Sequence, residues 1–178
     1  MTMYFIGLVL PFSLNEKILR WKNFMHERYQ CKVGLKSPAH ITLVPPFWME
    51  EEKETALLHD VTRLASSYSS FTIKTKNFSA FKPRTIFIDV EKTEVLVQLK
   101  ERVDAFFKLN TAYKAKTDSR PFHPHITIAT RDLFKKSFNE AWPIFEKEKF
   151  EEEWKAGDLS VLRHNSKNWD VVYTSQFI

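Results

Sequence analysis

Along the chain the apolar positions change period repeatedly, and each change marks a new element. Tyr4 to Leu10 is continuously apolar and is closed by Pro11, which predicts a buried strand at the centre of a sheet. The next segment repeats at helical spacing, with Leu14, Ile18, Trp21, Met25 and Tyr29 on one stripe and Ser13 and Glu16 placed as a capping box. Gly34 and Pro38 end that unit. His40 to Leu43 alternates as a short strand, and Pro45 and Pro46 are expected to close it because proline cannot continue a central ladder. Glu50 to Tyr68 reads as a second helix lined by Leu57, Val61, Leu64 and Tyr68, and Phe71 to Phe78 as another strand.

The same succession then returns. Thr85 to Val90 is a strand, and Glu94 to Leu109 is a helix with Leu99, Val103 and Phe106 inward. A strand follows from His125 to Ile128. A helix over about Asp132 to Lys147 puts Phe134, Phe138, Ala141 and Phe145 on one face, with Pro143 as a kink. The charged run from Glu146 to Lys155 reads as a solvated surface segment, and Leu159 to Arg163 with Trp169 to Phe177 as a closing hairpin. The order β-α-β-α therefore occurs twice. This is a duplication by element order, and 178 residues make one domain or two small, intimately packed lobes.

Composition narrows the chemistry. Sixteen Phe and five Trp in 178 residues supply an ample core. With three Gly in all, glycine-rich phosphate loops are excluded, so any phosphate must be held by side chains. A net charge of +5 favours anionic partners. Cys31 is the only cysteine, which rules out an intrachain disulfide and a cysteine-based metal site and fits a reducing cytoplasm. The apolar opening is too short to span a bilayer, so no membrane association is expected; the protein is expected to be a monomer.

One string stands out against this pattern. His40-Ile41-Thr42-Leu43 returns as His125-Ile126-Thr127-Ile128, 85 positions later (40 to 125). In a strand each copy directs its His and Thr to one face and its aliphatics to the other. If the two strands face each other across a cleft, one neutral imidazole and one protonated imidazole approach a ligand from opposite sides, which is the requirement for concerted base and acid catalysis. Thr42 and Thr127 then offer hydroxyl donors to an oxygen between them. A phosphodiester supplies a nucleophile side, a leaving-group side and non-bridging oxygens, and needs no metal or cofactor. His125 is taken as the base towards water and His40 as the acid towards the leaving oxygen.

The two motifs, with Pro38-Ala39-His40-Ile41-Thr42-Leu43 and Pro121-Phe122-His123-Pro124-His125-Ile126-Thr127-Ile128-Ala129 around them, resemble the two-histidine phosphoesterases, the 2′-5′ RNA ligase or cyclic phosphodiesterase superfamily. Phe81-Lys82-Pro83-Arg84 resembles a segment those proteins carry between the motifs. The resemblance implies a single bilobal α+β domain over residues 1–178, with two pseudo-twofold-related, mainly antiparallel sheets, helices outside and a basic central cleft between the lobes. It also implies metal-independent opening of 2′,3′-cyclic phosphates at RNA ends or in small cyclic nucleotides, with reverse 2′-5′ ligation in some members. Many members carry Phe-Leu-Gly soon after the first motif, where this chain has Val44-Pro45-Pro46-Phe47-Trp48. The departure leaves the substrate open.

Further candidates lie near the motif edges. Arg131 is assigned to the substrate phosphate, and Arg84, Arg120 and Lys36 are charges that line a cleft or an ordinary surface. Phe47 and Trp48 either stack a base or belong to the core. His123 in His-Pro-His reads as a structural or rim residue, or as a ligand in a metallohydrolase that uses His123 and His125. The rival from another class is a non-catalytic RNA- or nucleotide-binding module with the same cleft.

Overall fold

The computed structural model of the protein describes residues 1–116 and 120–178. Its frame is a pair of antiparallel four-stranded sheets. The first contains β1 (Thr2–Val9), β2 (His40–Met49), β7 (Asp158–His164) and β8 (Trp169–Gln176), in the order β2-β1-β7-β8. The second contains β3 (Phe71–Phe81), β4 (Thr85–Val90), β5 (His125–Ala129) and β6 (Glu153–Ala156), in the order β5-β4-β3-β6. Each motif strand is thus an edge strand beside the strand that opens its half. The continuous apolar run of β1 reflects a strand flanked on both sides, with Tyr4, Phe5, Ile6 and Leu8 all buried.

Four α-helices complete the described fold: α1 (Phe12–Tyr29), α2 (Glu54–Ala65), α3 (Glu94–Leu109) and α4 (Lys135–Phe145). Their packing is reciprocal. α1 lies against β5 and α3 against β2, so the helix of each half supports the motif strand of the other. Among the described residues no helix is long and apolar enough to cross a membrane.

Several expectations are corrected. β2 runs on through Pro45 and Pro46 to Met49, because at a sheet edge proline's missing donor faces no partner strand. α1 begins at Phe12 with Pro11 at its cap and no side-chain cap bond, so Ser13 lies inside the first turn and forms no capping box. Its buried stripe is Leu14, Ile18, Lys22 and Met25. Trp21 sits at the margin, its ring 5.0 Å from Phe78 and 5.1 Å from Phe145. α2 is shorter than predicted, with a 3₁₀ turn over Glu51–Lys53 before it. In α3 Phe107 is fully buried and Phe106 only partly. α4 starts after Phe134, which is 73% exposed instead of facing the core. The charged run before β7 is not simply a solvated segment, because Phe150 and Trp154 are buried within it and β6 pairs with β3 while Glu153 and Lys155 look out.

Candidate active site

The two motif strands are built alike. Ile41, Leu43, Ile126 and Ile128 are buried, while His40, Thr42, His125 and Thr127 are half-buried on the opposite face. In each copy the histidine and threonine stand opposite residues of the neighbouring strand: Val9 and Gly7 for His40 and Thr42, Asp89 and Phe87 for His125 and Thr127. β2 packs against β5, and His125 is among the groups whose charge acts on His40.

Each imidazole is held by the carbonyl two residues before it. His40 Nδ1 lies 2.7 Å from the Pro38 oxygen and His125 Nδ1 lies 2.6 Å from the His123 oxygen. A carbonyl only accepts, so Nδ1 carries the proton in both rings and Nε2 is the atom left for proton exchange. Among the described residues no protein hydrogen bond engages either Nε2 or the hydroxyl of Thr42 or Thr127. Thr62, Thr75 and Thr85 are by contrast all engaged. All four polar atoms of the repeated motif are therefore without a protein hydrogen bond among the described residues.

The segments leading into the histidines are pinned in parallel ways. Leu10 N donates to the Ala39 oxygen at 3.0 Å, and Val90 N to the Pro124 oxygen at 3.3 Å. On the first side α1 adds two clamps: Asn15 bonds both the Leu10 carbonyl and the Ala39 amide, and Lys22 Nζ donates to the Ser37 carbonyl at 3.0 Å. The halves are then joined next to the site. The carboxylate of Asp132, just past β5, accepts from the amides of Lys32 and Val33 at 2.5 and 2.9 Å. At Gly34 an added Cβ would sit 2.1 Å from the Ile128 carbonyl oxygen, so only glycine permits this approach to β5.

Aromatic rings back both histidines. Phe5 lies 4.6 Å from His40 and 4.8 Å from Trp169, ring centre to ring centre. Phe87 and Phe81 lie 5.0 and 5.3 Å from His125, and Phe81 is 44% exposed. This apolar backing pushes both histidines below their usual proton affinity. Burial holds His40 at about 4, opposed by the Pro38 bond and assisted by Lys22 and His125. His125 is lowered mainly by burial, and also by His123 and Arg120, while the His123 carbonyl bond and Asp89 act the other way.

Comparison with known proteins agrees with this geometry. A family profile described as the 2′-5′ RNA ligase superfamily matches residues 10–168. The chain belongs to this superfamily. A protein of Geobacillus sp. strain WCH70, provisionally named a phosphoesterase, is 31% identical over 121 residues, which is 67% of this chain and 65% of that protein. The match therefore spans just under two thirds of that relative's length. A similarly named protein of Oceanobacillus iheyensis is 28% identical over 155 residues, 85% of this chain and 86% of the relative. Among solved structures, a Thermus thermophilus protein superposes with a TM-score of 0.72 at 20% identity, covering 99% of this chain and 98% of that one. Escherichia coli LigT in apo form gives 0.64 at 16% identity, covering 99% and 97%. At those identities the likeness is one of fold.

Within this superfamily fold the remaining candidates separate. Phe47 is buried, its ring packed against Tyr4 and Phe107, and so cannot stack a base. Trp48 is 54% exposed but pairs with Met3 while His40 pairs with Val9, a separation of roughly 20 Å at strand rise. Arg84 is exposed in the β3–β4 turn. Arg131 is exposed in the turn after β5, with φ 50°, and its charge is not among those acting on either histidine. Arg120 does act on His125. Lys36 lines, with Lys22, Pro38 and Trp169, a recess of about 430 Å³ beside the His40 lead-in. His123 is tied by Nε2 to Asp89 Oδ1 at 2.9 Å, and among the described residues no cluster of three His, Cys, Asp or Glu could hold a metal. Lys22, Asp89, Phe5, Phe87 and Trp169 were not singled out in the sequence, and Phe81 stood out only within the segment Phe81-Lys82-Pro83-Arg84. Only Lys22 left a signal there, as a charged residue on the apolar stripe of α1.

Proposed function

We propose that this chain is a phosphoesterase that opens 2′,3′-cyclic phosphates at RNA ends or in small cyclic nucleotides, using His40 and His125 as paired base and acid. The observation that carries this is the matched pinning of both Nδ1 atoms, which leaves two Nε2 atoms and two threonine hydroxyls open on facing strands. The neutral histidine takes a proton from water as its oxygen bonds to phosphorus. The protonated histidine gives one to the ribose oxygen as its bond to phosphorus breaks. Thr42 and Thr127 donate to the non-bridging oxygens, whose charge grows in the transition state. With a ribose 5′-hydroxyl in place of water, the same steps join two ends: the P–O5′ bond forms as one ribose–phosphorus bond of the cyclic phosphate breaks. LigT, of like fold, has been crystallised with 3′-AMP, a nucleoside monophosphate.

The surroundings favour the reverse of the role assignment expected from sequence. Burial and the cation Lys22 keep His40 neutral, whereas Asp89 supports a proton on His125. His40 is then the base and His125 the acid. Both proton affinities are lowered, so the reactive state, His40 neutral with His125 protonated, is most populated below neutrality. The experiment is the pH dependence of kcat/KM for a nucleoside 2′,3′-cyclic phosphate. It is expected to rise through about 4, as His40 loses its proton, and to fall again at a pH below about 6.5 as His125 does. A flat profile from pH 4 to 9 is incompatible with the reading.

A further inference from the structure

Two lysines among the described residues are almost excluded from solvent, Lys22 at 4% and Lys100 at 7% exposure. They occupy matching places in the two halves. Each lies on the helix that follows the strand beside a motif strand, and each reaches the third residue before a motif histidine. Lys22 donates to the Ser37 carbonyl, and Lys100 sits over the Phe122 ring, 5.7 Å from its centre.

Their charges are treated differently. Lys100 meets both oxygens of Asp104, one helical turn on, at 2.5 Å. One turn beyond Lys22 stands His26, and among the described residues no carboxylate bonds Lys22. A buried ammonium with a single carbonyl partner is costly. Burial lowers its pKa only to about 8, so it is charged at neutral pH. A second imbalance runs the opposite way: Asp89 stands opposite His125, where the first half has Val9 opposite His40.

We infer that Lys22 is the positioning residue that makes the two halves unequal: it fixes the Ser37–Pro38 segment, whose Pro38 carbonyl accepts from His40 Nδ1, and sets near that ring a positive charge with no carboxylate bonded to it, so that His40 enters the reaction as the base. This rests on the two-histidine reading and adds the reason one histidine takes one role. The groups around Lys22 are consistent with it. From α1 come Glu16, which is exposed, and His26; from the following 3₁₀ turn, whose Gly34 lies beside the Lys22 side chain, comes Lys36, a second cation; from past β5 comes Asp132, its carboxylate bonded to the Lys32 and Val33 amides; from the first motif strand comes His40.

The test reads the histidines directly, by nitrogen NMR of the imidazoles during a pH titration, and so does not depend on turnover. In Lys22→Met the proton affinity of His40 should rise at least threefold, with that of His125 moving less. Lys22→Arg should restore His40 towards its original value. In the unmodified protein the His40 nitrogens should show a second, smaller inflection near pH 8, where Lys22 titrates. That measurement decides the matter if Lys22→Met does not fold. An unchanged His40 titration in Lys22→Met, or no inflection near pH 8 in the unmodified protein, overturns the role of Lys22 and leaves the two-histidine reading standing. Loss of that reading would instead show as full activity in His40→Ala and His125→Ala, whatever the titration gives.

Discussion

Replacing either His40 or His125 with alanine is expected to lower turnover of a 2′,3′-cyclic phosphate by about 10³-fold, equivalent to about 4 kcal/mol of transition-state stabilisation. Each ring bonds the protein through Nδ1 alone among the described residues, so the fold should survive, with circular dichroism unchanged. The double variant should be little worse than either single one, because the two groups act in one step. Thr42→Val and Thr127→Val, which keep shape and remove one donor each, should cost about tenfold to a hundredfold in kcat with a smaller change in KM. Steady-state kinetics on purified variants checks all of these. Full activity in both histidine variants would remove the two-histidine mechanism.

Gly34→Ala is expected to have the largest effect on stability of any single-methyl change near the site. Its Cβ would lie 2.1 Å from the Ile128 carbonyl oxygen, a backbone atom of the second motif strand that has no rotamer to move away. Either β5 or the 3₁₀ turn at Val33–Lys36 must shift, and that shift pulls on the bonds from Lys32 and Val33 to Asp132. Overpacking of this kind costs about 2 kcal/mol or more. Because the same contact joins the halves beside Thr127, activity should fall together with the denaturation midpoint. Chemical denaturation and a turnover assay on one preparation measure both; a variant with unchanged midpoint and activity would show that the contact is not a constraint.

The order of elements apart from β6, the central place of β1 and the in-and-out alternation of both motif strands were legible in the sequence because each depends on local period alone. What escaped depends on placement in space. Proline inside β2 is compatible with a strand only once β2 is known to be an edge. Phe47 and Trp48 looked like stacking candidates because they follow the motif in sequence, yet the strand carries one into the core and the other away from His40. The rings that do lie against the site, Phe5, Phe81 and Phe87, come from other strands, β1, β3 and β4, and no sequence spacing links them to the histidines. The same holds for Asp89, brought opposite His125 by register. Lys22 was hidden for another reason: a charged residue on an apolar stripe is usually discounted, whereas here the stripe includes it.

If side chains alone open a cyclic phosphodiester between these two strands, the reaction proceeds with every free metal ion chelated. The purified protein, in excess EDTA, is incubated with the four nucleoside 2′,3′-cyclic phosphates and a short RNA ending in one, and the reaction is followed by phosphorus NMR. The cyclic signal is expected to give way to a single monoester signal for at least one of these compounds, at a rate EDTA does not change. Binding with no monoester formed over hours would identify a non-catalytic binding module, and turnover abolished by EDTA would identify metal chemistry; either result contradicts catalysis by His40 and His125 alone.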